Sequence, residues 1–69
     1  MLGEKIRKLR IKKGLSQEKL ARLANISYNT IVKIESGASS NPTIQTLSGI
    51  ANALGVSFDY LMKDELKKR

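Results

Sequence analysis

SQEKLARLANISYNTIVKIESG, residues 16–37, decides the fold. Ser16 has the side chain of a helix N-cap, and Leu20, Ala21, Leu23 and Ala24 give the segment after it an apolar side at helical spacing. Asn25 and Ile26 then form a tight connection. Ser27 is a second N-cap and opens a helix that runs to Ser36 and Gly37. Two short helices are therefore joined by a turn of only about three or four residues.

Working outward, Gly14, Gly37 and Gly55 each follow a segment of helical spacing, where a left-handed capping residue is expected. Upstream, Leu2, Ile6 and Leu9 make one apolar stripe, with Lys5, Lys8 and Lys12 facing elsewhere, so a first helix ends near Lys13. Downstream, residues 38–42 read as a polar loop, and Pro42 stands where a helix start tolerates it. Ile44, Leu47, Ile50, Ala51 and Leu54 form the buried stripe of a fourth helix. Ser57 caps a fifth helix carrying Phe58, Leu61, Met62 and Leu66. The reading is a compact all-α domain of five helices, one domain over 1–69, with a core at about 3–62 and a charged tail at 63–69.

Composition removes most other functions. The 69 residues contain neither cysteine nor histidine, so there is no disulfide, no thiol nucleophile, no imidazole base and no common metal-ligand set. Neither a P-loop nor a GxGxxG string occurs. The chain is not read as an enzyme, and no cofactor or metal is expected. Thirteen Lys and Arg against six acids leave a net charge of +7, the balance of a protein with a polyanionic partner. Nine of those bases lie in residues 1–35, and none lies in 36–62. No apolar run is long enough to span a membrane and MLGEKIRKLR lacks a secretory core, so a cytoplasmic location is expected.

Two short helices, each opened by serine and joined tightly, form a helix-turn-helix, in which the second helix enters the DNA major groove. At about 100° per residue, Tyr28, Val32, Ser36, Asn29 and Lys33 span one arc of about 140° on that helix, while Ile31, Ile34 and Glu35 lie on the other side. Asn29 can pair bidentately with adenine, Lys33 can donate to guanine, and Tyr28 and Val32 can touch thymine methyls. The plainer alternative is a solvated helix face. Ser16 and Ser27 open helices whose first turns hold one acid, Glu18, so their amides and dipole ends can meet phosphates, as can Gln17. Arg10 lies beside the Ile6 and Leu9 stripe, and Glu35 beside Ile31 and Ile34. They either pair between helices one and three or stand as two separate surface charges.

These residues resemble the Cro and CI repressor type, the XRE-like helix-turn-helix family with its lambda-repressor-like domain. SQEKLARLANISYNTIVKIESG and NPTIQTLSGIANALGVSFDYL carry the resemblance over roughly residues 3–62, and MLGEKIRKLRIKKG with NPTIQTL resembles the SinR-type repressors of bacilli. The resemblance implies five helices, operator binding as a homodimer on an inverted repeat, and a transcriptional regulator, most often a repressor. It implies a glutamine at Gln17 that grips the DNA backbone, base readers at Tyr28, Asn29 and Lys33, Thr30 at the groove edge, and a backbone-binding loop over Ser36, Ser39, Ser40 and Asn41. It also implies an Arg10 to Glu35 pair bracing the recognition helix. Ala38, Ser39 and Ser40 stand where basic residues are common in the family, which leaves main-chain amides as the phosphate donors there.

Two other readings compete. One is a protein-interaction or antitoxin-like module on the same fold, against which stands the lack of acids on the outward arc. The other is a cationic membrane-binding peptide, against which stand Arg7, Lys8 and Lys12 beside the apolar stripe of helix one. Tyr60, Met62 and Leu66 are apolar candidates either for a dimer surface or for the core. The tail can also continue into a further C-terminal domain that brings a protein partner. The expected setting is bacterial or phage, on the nucleoid.

Overall fold

The computed structural model describes residues 2–38 and 42–67, with side chains through Lys63. Five helices follow in order: α1 (Leu2–Lys12), α2 (Gln17–Ala24), α3 (Tyr28–Ser36), α4 (Ile44–Leu54) and α5 (Phe58–Lys67). The caps explain the boundaries. The hydroxyl oxygens of Ser16, Ser27 and Thr43 accept from the amides of Lys19, Thr30 and Thr46, and Ser57 Oγ accepts from the Tyr60 amide at 2.9 Å. Thr43, one residue after Pro42, is thus the cap of α4. α2 ends on Asn25 in the left-handed region, φ 60°, with the Ile26 amide returning to the Ala21 carbonyl at 2.9 Å. Asparagine tolerates that conformation because its short polar side chain can bond locally, and the tight turn into α3 depends on it.

All five helices contribute to one core. Ile6 of α1, Leu20 of α2, Ile31 of α3, Ile50 and Leu54 of α4 and Leu61 of α5 are fully buried, with Ala21, Ala24, Ile34, Leu47 and Ala51 filling between them. α2 packs on α4 and on α3, α1 packs on α3, and α5 closes the far side against α1 and α4. Two glycines set the closest approaches. A Cβ on Gly49 of α4 would stand 2.8 Å from the Ala24 carbonyl oxygen at the end of α2, and a Cβ on Gly3 of α1 would collide with the Ile34 carbonyl oxygen of α3.

The apolar stripes differ from the expectation at two residues. Leu23 is 51% exposed. The buried arc of α2 is centred on Leu20, Ala21 and Ala24, and Leu23 lies about 110° from that centre. Ile44 is 72% exposed although its angle on α4 matches the stripe. It is the first residue of the helix, one turn before Leu47, where burial begins. Lys5, off the apolar stripe, donates to the Tyr60 carbonyl at 2.7 Å and sits over the Tyr60 ring at 4.7 Å, tying α1 to α5. α5 continues through Lys67, so the charged tail begins as part of that helix.

Candidate nucleic-acid interface

α3 buries one side and presents the other. Ile31 and Ile34 are in the core, whereas Tyr28, Asn29, Lys33 and Ser36 are exposed and Val32 is half-buried between them. Tyr28, at 47% exposure, keeps a large ring in solvent at the start of the helix, and it is followed by one amide and one ammonium along the same arc. Thr30 is half-buried at the edge, its hydroxyl 2.7 Å from that of Ser27. Ser36 donates its hydroxyl to the Lys33 carbonyl at 3.1 Å and accepts from the Ala38 amide at 3.3 Å, which shapes the exit from α3. Ser39, Ser40 and Asn41 lie outside the described residues.

The starts of α2 and α3 supply anion-facing groups. Ser16 Oγ accepts from the Lys19 amide at 3.0 Å and so retains its hydrogen for an outside acceptor. The first amides of each helix have no intrahelical carbonyl to meet, and the partial positive charge of a helix start sits on them. α3 has no acid in its first turn. The only acid in the first turn of α2 is Glu18.

Behind this surface stands a charged brace. Arg10 Nε donates to Glu35 Oε2 at 2.7 Å and Nη2 donates to Oε1 at 3.1 Å, while Nη1 donates to the Leu15 carbonyl at 2.8 Å. The two side chains retain 12% and 3% of their surface. Gln17 Nε2 makes a further bond to Glu35 Oε1 at 3.0 Å. The carboxylate of α3 is thereby held from α1 and α2 together, and no described buried side-chain polar atom lacks a partner. Since a bidentate guanidinium–carboxylate pair fixes direction as well as distance, the brace sets the angle at which α3 is presented.

Gln17's part in the brace was not read from the sequence. The signal was its angle: Gln17, Leu20, Ala21 and Ala24 share one face at i, i+3, i+4 and i+7, so a polar group there must find an internal partner. Its amide carries two hydrogens, and one remains for an outside acceptor. Among the described residues, no group of His, Cys, Asp and Glu is arranged to hold a metal, and no helix is long and apolar enough to cross a membrane.

Comparison with known proteins agrees with this geometry. A helix-turn-helix family profile matches residues 6–61. The SPbeta prophage-derived HTH-type transcriptional regulator YonR of Bacillus subtilis is 40% identical over 63 residues, 91% of this chain and 57% of that protein. SinR, an HTH-type transcriptional regulator of the same organism, is 32% identical over 65 residues, 94% of this chain and 59% of SinR. The chain thus spans less than two thirds of the length of these relatives. A crystal structure of SinR in complex with DNA superposes with a TM-score of 0.85 at 34% identity, covering 90% of this chain and 98% of that one. The restriction-modification controller protein C.AhdI of Aeromonas hydrophila superposes at 0.83 with 33% identity, covering 87% and 89%. The chain belongs to the helix-turn-helix family of Cro/CI-like transcriptional regulators.

Proposed function

We propose that the protein is a transcriptional regulator, most often acting as a repressor, that binds double-stranded DNA sequence-specifically with α3 in the major groove. The observation that carries this reading is the exposed arc of α3 backed by the Arg10, Gln17 and Glu35 brace. A helix reads base edges only if its direction is fixed, and the brace fixes it from two neighbouring helices. Tyr28, Asn29, Thr30, Val32 and Lys33 contact bases. Ser16, Gln17, Ser27, Ser36, Ser39, Ser40 and Asn41 contact the backbone.

The domain over 1–69 acts as one of two copies on an inverted repeat, with half-sites about 34–36 Å apart. It works in the cytoplasm on the nucleoid. Support for the regulatory part comes from the relatives, which are named as transcriptional regulators, and from a structural neighbour in complex with DNA.

Selection from a random duplex library at about 0.15 M salt, where weak surface attraction is screened, tests both claims. An inverted repeat among the recovered sequences is the expected result. Recovery of no motif, with binding that vanishes as salt rises, would overturn sequence-specific reading by this chain.

A further inference from the structure

A groove of about 570 Å³ lies where the end of α1 meets the α4–α5 turn. Leu9 and Val56, over the fully buried Leu54, form its apolar part, and among the described residues lining it Lys12 and Lys13 are the charged ones. None of its lining residues belongs to α2 or α3. The wall at Gly55 is open because that residue caps α4 in the left-handed region, φ 74°, with no side chain. Lys13 uses the space: its Nζ lies 2.9 Å from where a Cβ on Gly55 would be. The C-terminal end of α4 favours a cation, which holds the ammonium at the groove wall.

We propose that this groove docks an acidic amphipathic helix of a protein partner. An apolar floor takes one face of a helix through anchors at i, i+3 or i+4 and i+7. A rim whose described charges, Lys12 and Lys13, are both positive selects carboxylates beside those anchors and disfavours basic helices. The site is separate from the exposed arc of α3, so a partner seated here leaves the recognition helix free.

The test titrates the 15N-labelled chain with a synthetic peptide of about 14–15 residues, the length at which isolated helices become marginally stable. The peptide carries leucines at i, i+4 and i+7 and glutamates elsewhere, and a lysine-for-glutamate version serves as comparison. Binding of the acidic peptide is expected to move the amide signals of Leu54, Val56, Ser57 and Tyr60. Lys12→Glu with Lys13→Glu, both on exposed side chains, is expected to weaken it about tenfold, from two rim pairs lost and reversed.

Arg7→Glu with Lys8→Glu makes the same change in net charge outside the groove and is expected to leave binding within about twofold. Equal weakening by both pairs of substitutions, equal binding of the basic peptide, or no binding at all would overturn the proposal. Shifts centred on α3 would overturn it in favour of a DNA mimic. Shifts at the groove that grow with chain concentration alone would assign it to a second copy.

Discussion

Arg10→Met removes the guanidinium and leaves the Glu35 carboxylate, 3% exposed, with the Gln17 amide as its remaining donor. An uncompensated buried charge costs about 3 to 5 kcal/mol, and the 12% exposure of Arg10 places this site at the lower end, about 3 kcal/mol. A chain of 69 residues has a total stability of only about 3 to 10 kcal/mol. At roughly 4–8 °C per kcal/mol, Tm should fall by at least about 12 °C.

Glu35→Leu should cost a similar amount, since it leaves the guanidinium with only the Leu15 carbonyl. The double variant removes both charges and fills the site with apolar volume, so it should lose about 1 kcal/mol or less. Urea unfolding followed by circular dichroism on the parent, both singles and the double gives the coupling energy directly. A double variant as unstable as the sum of the two singles would refute the brace, because the two residues would then act independently.

Other outcomes follow from the same contacts. Lys33→Ala should cost about 1 to 3 kcal/mol of binding and relax preference at one base position, whereas Gln17→Ala, which removes a backbone donor and a brace bond together, should weaken both cognate and random duplexes, the cognate one more. Fluorescence anisotropy on both duplexes separates them, and equal losses for Lys33→Ala would remove it from the base readers. Gly49→Ala should lower stability by about 1 kcal/mol, because the clash with the Ala24 carbonyl outweighs the gain of about 1 kcal/mol in helix propensity. A rise in Tm would show that α2 and α4 can separate at no cost. Asn25→Val should lose about 1 to 2 kcal/mol at φ 60°, while Asn25→Gly should be close to neutral in the same melt.

The helices were legible because α2 to α5 each begin on a hydroxyl and the first four end near a left-handed residue, so local chemistry marks most of their limits. The polar arc of α3 followed from angle alone, since Ile31 and Ile34 leave one direction for its apolar side. Leu23 was placed on the apolar side although its angle, about 110° from the buried centre of α2, carried the signal, whereas the exposure of Ile44 did not follow from angle. Periodicity assigns a direction around a helix, but burial also depends on where neighbouring helices stop, and that is a property of their packing.

Gly3 and Gly49 were illegible for a related reason. A glycine inside a helix has no signature that separates a close helix contact from a tolerated defect. The bond of Gln17 to Glu35 was not read, although its place on the apolar face of α2 carried the signal. The groove at Lys12 and Lys13 needs residues from both ends of the chain and has no local pattern at all.

On the proposed reading, the brace and the exposed arc divide their tasks along α3, so that one scaffold can serve different sequences. Tyr28, Asn29 and Lys33 are exposed, and each can change at a stability cost within about 0.5 kcal/mol, the usual range for surface positions. Ile31, Ile34 and Glu35 cannot, because two fill the core and the third takes donors from two other helices. Direction is thus set by residues that face inward, and preference by residues that face outward on the same helix. Because successive positions alternate between these roles with the helical period, a change in the bases read does not require a change in how α3 is held.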